Sequence, residues 1–191
     1  MTNSNEQVSV YHERQQRELC AMHALNNTFQ EKVFTKEFLD EICLQLTPDT
    51  NWLNPHRSMF GLGNYDINVI MSAVQRKKNC EAIWFDKRKD PACIDTEQII
   101  GFILNIPNKY DLGFVAVPLL GRRHWFAIKK IGAQFWNLDS KLKVPKSLGN
   151  ENDVMEFIRK QLLENDKELF IVVTKEVASA QSWMKSPTIE T

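Results

Sequence analysis

"HWFAIKKIGAQFWNLDS", His124 to Ser140, carries two apolar runs on either side of a single glycine. Trp, Phe and Ile suit a pleated, half-buried surface, so each run reads as a strand. A tight turn near Ile131-Gly132 joins them into an antiparallel hairpin. If those two residues form the loop, Lys130 faces Ala133, and counting back sets His124 opposite Asp139. Opposed residues project to one face with Cβ atoms about 4.5–5.5 Å apart. A register shift of two keeps the pair on that face as diagonal neighbours, whereas a shift of one separates them. Asn137 has the same parity as Asp139 and stands as the reserve partner.

Working outward, "GFVAVPLL" (113–120), "AIWF" (82–85) and "LFIVVT" (169–174) read as further strands. A Gly-containing turn is expected between 120 and 124. "DTEQIIGFILNIP" (95–107) opens on capping residues and stops at Pro107, which predicts a helix. Another helix is expected over about Asp153 to Leu163. Nearer the start, Leu19, Met22, Leu25 and Phe29 recur at helical spacing over 19–29. Thr35 caps a second helix with Phe38, Leu39, Ile42, Cys43 and Leu46 on one stripe, ended by Pro48. "PDTNWLNPHRSMFGLGN" (48–64) is a loop. Asp66 caps a third helix with Ile67, Ile70, Met71 and Val74 on one face. Helices first and then a mainly antiparallel sheet make one α+β domain over 10–174. Residues 1–9 read as a disordered lead-in and 175–191 as a loose polar tail.

The 191 residues are 43% hydrophobic and 25% charged, which suits one globular domain able to bury a core. Lys+Arg and Asp+Glu both number 24. That balance argues against a nucleic-acid or membrane-surface binder, since both need a sustained positive field. Lys87-Arg88-Lys89 lies between Asp86 and Asp90 and reads as a solvated turn. No apolar run reaches the roughly 20 residues of a membrane span, and the polar start has no signal-peptide pattern. Cys20, Cys43, Cys80 and Cys93 are widely spaced and read as reduced thiols. The expectation is a cytoplasmic monomer.

"HERQQRELCAMHALNN", His12 to Asn27, holds the chemistry. Cys20 and His23 share a helix face, but no recognisable spacing supplies the third and fourth ligands of a zinc site, so no metal is expected. Cys20 instead sits in the first helical turn, where free amide N–H groups and the helix dipole favour a thiolate. His23 emerges from the same helix and reads as a polar residue packed beside the site. His12 and His56 lie on irregular segments. His124 opens a strand, which fixes its direction, and Asp139 can accept its other N–H and hold its tautomer. Gln15 carries an amide donor that could join the Cys20 backbone N–H around an oxyanion. A plain surface glutamine is the alternative, and the sequence leaves both open.

"YHERQQRELCAMHALNN", "GNYDINVIM", "RRHWFAI" and "FWNLDSKLK", in that order, resemble the blocks of the Josephin domain. The likeness runs from about Val10 to Thr174 and is greatest to the short members that consist of little else. It implies a papain-like fold and a cysteine protease that removes ubiquitin without a cofactor. It matches Cys20 to the nucleophile, His124 to the general base, Asp139 to the orienting residue (Asn in some relatives) and Gln15 to the oxyanion glutamine. It implies that the second and third helices, within about 31–74, form an arm beside the cleft. It also implies a ubiquitin-binding surface including Ile67 and Asn68, with Lys77 where a relative has an aromatic. Ubiquitin and its conjugates are the implied partners.

Overall fold

The computed structural model describes residues 9–15, 18–47, 55–56, 64–111 and 116–185. Most of the expected lead-in, Pro48, most of the 48–64 loop and the end of the tail lie outside them. Three helices come first: α1 (Cys20–Phe29), α2 (Lys36–Leu46) and α3 (Ile67–Lys78). Thr35 Oγ1 accepts from the Phe38 N–H, and the Asp66 carboxylate accepts from the Asn68 and Val69 N–H groups, so both expected caps are in place. On α3 the buried face is Val69, Ile70, Ala73 and Val74, while Met71, expected inside, is exposed.

The strands are β1 (Cys80–Trp84), β2 (Gly101–Asp111), β3 (Ala116–Ile131), β4 (Gln134–Asn137), β5 (Lys146–Gly149) and β6 (Glu168–Thr174). They form one antiparallel sheet in the order β1-β6-β2-β3-β4-β5. The helix expected over 95–107 is not formed: from Gly101 on, this stretch is β2. The run Phe102-Ile103-Leu104 is buried on both faces of a strand between two others, so it shows no alternation. Pro107 is tolerated because β6 pairs with β2 only at 101–105, leaving that edge of Pro107 unpaired, and the β2–β3 register shifts beside it. The two strands expected at 113–120 and 124–131 are one strand, β3, from Ala116 on, and Gly121 makes no turn in it.

The sheet is packed on both sides. Ile103, Trp125, Phe170 and Val172 meet α1 to α3. Phe102, Leu104, Phe126, Leu169 and Ile171 face the other way, against α4 (Glu151–Leu162). Asn150 and Asp153 form a reciprocal capping box at the start of α4, two residues before the start expected from sequence. As far as Lys185 the expected tail is not loose: Lys175–Ala180 is helix α5, and Trp183 is buried against the second cluster. Its backbone is tied by Asp95 N–H to Trp183 O (2.8 Å) and Lys185 N–H to Cys93 O (2.8 Å). Among the described residues no helix is long and apolar enough to cross a membrane. All four cysteines are free thiols, with Cys43 fully buried.

Candidate active site

The β3–β4 hairpin sets the first pair. Ile131 faces Gln134 and Ile128 faces Asn137, so the loop is Gly132-Ala133, with Gly132 at a φ of 63°. The register is two residues from the simplest count, and that shift preserves the face. Asp139, just past the end of β4, reaches His124 as a diagonal neighbour. His124 Nε2 lies 2.7 Å from Asp139 Oδ1, and the imidazole is buried. A carboxylate accepts, so Nε2 carries a proton, and Nδ1 is buried with no hydrogen-bond partner among the described residues. The bond to His124 holds the Asp139 carboxyl below its ordinary range against the opposing effect of burial. Asn137 has a different part: its Oδ1 accepts the Asp139 backbone N–H at 2.9 Å and shapes the turn.

Cys20 comes from the opposite side, on the first turn of α1, which packs on β3. Its sulfur receives backbone N–H groups from Trp125, the neighbour of His124, and from Ala21, in its own helical turn. Lys141 and Asp139 are close enough to act on it with opposite signs. Cys20 and the His124–Asp139 pair are thus related through β3, where Trp125, beside the sulfur, follows His124 in the strand. Burial pushes the Cys20 thiol up, and the amide donors, that of Ala21 at the helix start among them, and Lys141 lower it only in part.

Gln15 is half-buried and joined to the same turn, its backbone N–H donating to Ser140 O at 2.7 Å. His12 and His23 do not serve the sulfur. His12 Nε2 is 3.0 Å from Asp139 O, and His23 Nδ1 is 2.6 Å from Glu13 Oε2 in a buried pair. Burial would raise the Glu13 carboxyl, but the bonds from His23, Tyr11 and Asn26 leave it lowered. His56 is 2.7 Å from Asp66 Oδ2, at the cap of α3. Ile67 is half-buried and Asn68 exposed beside a groove of about 260 Å³ that also meets Tyr65, Arg123 and Trp125. Lys77 is exposed, with its ammonium 4.8 Å from the Phe38 ring centroid.

Sequence reasoning passed over Glu13, Asn26 and Asn27. Both asparagines are fully buried. Asn26 Oδ1 accepts from Val33 and Phe34, and its amide donates to Glu13 and Phe34. Two adjacent asparagines inside a helix were the available signal, since Asn is a poor helix former that seeks backbone partners.

The Josephin family model matches residues 15–173. The chain is 50% identical over 180 residues to a Josephin-like protein of Drosophila melanogaster, covering 92% of this chain and 80% of that one. It is 47% identical to human Josephin-2 over 93% of both chains. Similarity to chicken Ataxin-3 is lower, 27% identity over 86% of this chain and 45% of that protein.

Proposed function

The chain belongs to the Josephin family, and on that footing we propose that it is a cysteine deubiquitinase. The observation that carries the reading is the His124 imidazole. Its Nε2–H is held on Asp139, and its Nδ1 lone pair is buried beside the strand residue that touches Cys20. An imidazole so held is a proton acceptor of fixed direction, and the carboxylate stabilises the imidazolium it becomes.

The reaction is acyl transfer from the ubiquitin C-terminal carbonyl, joined through an isopeptide bond to a lysine. His124 Nδ1 takes the Cys20 proton as the sulfur attacks the carbonyl carbon. Gln15 and the Cys20 backbone N–H support the oxyanion. His124 returns the proton to the leaving amine, then activates water, which breaks the thioester and frees the ubiquitin carboxylate. The groove edged by Ile67, with Asn68 exposed next to it in α3, is the candidate ubiquitin-facing surface.

The covered sulfur favours a second reading, a ubiquitin-binding module of the same fold with little turnover. A ubiquitin probe with an electrophilic C-terminus separates the two. The expected outcome is a covalent adduct with the wild type and none with Cys20→Ala. His124→Ala is expected to lower the rate of adduct formation by about 100-fold or more. Binding without an adduct supports the module, and cleavage that survives Cys20→Ala ends the enzyme assignment.

A further inference from the structure

Three successive carbonyls in the turn that bears Asp139 are each held from the nucleophile's side of the molecule. Leu138 O accepts from Asn27 Nδ2 at 2.8 Å, Asp139 O lies 3.0 Å from His12 Nε2, and Ser140 O accepts the Gln15 N–H at 2.7 Å. The remaining contacts of this turn belong to the turn or to the sheet. Leu138 N–H reaches Ala127 O, Asp139 N–H reaches Asn137 Oδ1, and Lys141 N–H reaches Asp139 Oδ1.

Asn27 touches both parts. Its Oδ1 accepts the Glu13 N–H at 2.7 Å, and its Nδ2 also reaches Glu13 O at 3.4 Å. Glu13 follows His12 and precedes Gln15 by two residues, so the strap that supplies the other two holds is itself pinned at its centre. His23 and Asn27, at i and i+4 of α1, both meet Glu13, so one stripe of the helix faces this strap of residues 12–15. The side chain of Asn27 is fully buried, so a partner lost there leaves a desolvated polar group unsatisfied.

We propose that Asn27 is the positioning residue that fixes the turn bearing Asp139 in register with the helix bearing Cys20. It touches no reacting atom and acts through Asp139. The catalytic part of this inference rests on the assignment of Cys20, His124 and Asp139 above.

Asn27→Asp is the sharper test. The carboxylate keeps an acceptor for the Glu13 N–H but sets an oxygen against Leu138 O and, at longer range, Glu13 O, so it loosens the turn while the shorter bond to the strap stays. Asn27→Ala removes both holds. The first readout needs no turnover: the downfield Nε2–H proton resonance of His124, assigned by its loss in His124→Gln. It is expected to weaken or move upfield in Asn27→Asp and to vanish in Asp139→Ala. The second is kcat on a ubiquitin-linked substrate, expected to fall by about tenfold or more with KM held within about twofold. In the Asp139→Ala background, Asn27→Asp is expected to cost less than about twofold, because the group it positions is gone.

An unchanged His124 resonance in Asn27→Asp overturns the proposal, as does an equal loss of kcat in both backgrounds. A wild type with no turnover, or turnover that survives Cys20→Ala, sinks the catalytic assignment instead. The resonance then still decides whether Asn27 holds the turn.

Discussion

Ala21 and Trp125 point backbone N–H groups at the Cys20 sulfur, yet burial outweighs them and pushes the thiol up. The direction has a consequence for reactivity. An ordinary thiol titrates at about 8.5, and only the thiolate is nucleophilic. Alkylation of Cys20 by iodoacetamide in the free protein is therefore expected to be slower near neutral pH than that of an exposed cysteine. Its rate should continue to climb above the ordinary thiol range. A rate already level through neutral pH would mean a resting thiolate–imidazolium pair and would overturn this account. The two acids have opposite effects on stability. Cys20, raised in the fold, contributes stability at low pH that is lost as pH rises through its folded pKa. Asp139, lowered in the fold, contributes stability above its unfolded pKa that is lost as pH falls through the folded one. At this scale residue type was informative: a cysteine in a first helical turn, and a histidine and an acid of one parity on a hairpin. The degree of burial was not, since it depends on what the distant strand β3 places beside the sulfur.

Elements were legible where periodicity and caps agreed. Thr35 and Asp66 mark their helices in the sequence and cap them in the fold. The misreading was β2, whose continuous apolar run gives a buried strand and a buried helix the same pattern. Capping-type residues before it and Pro107 after it tipped the reading toward helix. What decides for strand is the pairing with β6 and β3, whose partners for Phe102 to Leu104 lie 22 to 69 residues further along the chain. The short strand β5 was invisible for a similar reason: Lys146–Gly149 has little apolar content and is ordered by pairing with β4. Its last residue carries a testable demand. Gly149 has a φ of 91°, and a Cβ there would run into the Asp153 carboxylate, whose Oδ2 accepts the Asn150 N–H at 2.9 Å in the α4 capping box. Gly149→Ala thus adds left-handed backbone strain and disturbs the box. A loss of about 2 kcal/mol is expected, read as a lower urea midpoint with an unchanged slope. A loss below about 0.5 kcal/mol would mean that the box gives way freely.

For the molecule as a whole, one sheet separates two apolar layers, and the candidate site lies where the helical layer, the N-terminal strap and the β3–β4 hairpin converge. The stretch beyond β6 belongs to the other layer. Its polar composition hid this, because a single tryptophan does most of the packing. Trp183 is 8% exposed in the cluster that includes Ile94, Ile158 and Phe102, and the bridge between Ile94 and Met184 fastens the segment beside it. Truncating a buried tryptophan costs about 3–5 kcal/mol, and a chain of this size loses about 2–4 °C of melting temperature per kcal/mol. Trp183→Ala is expected to lower the melting temperature by about 6 °C or more. His124 stacks on Phe126 of that cluster, but its bond to Asp139 and the Asn27 and Gln15 bonds to the turn involve no member of it. The ubiquitin-probe rate, measured well below the melting range, should therefore stay within about twofold of the wild type. A melting temperature that does not move would show that the C-terminal segment packs without holding the fold. A probe rate that falls with intact folding would show that the two layers are coupled through β3, the strand that carries His124 toward one and Trp125 toward the other.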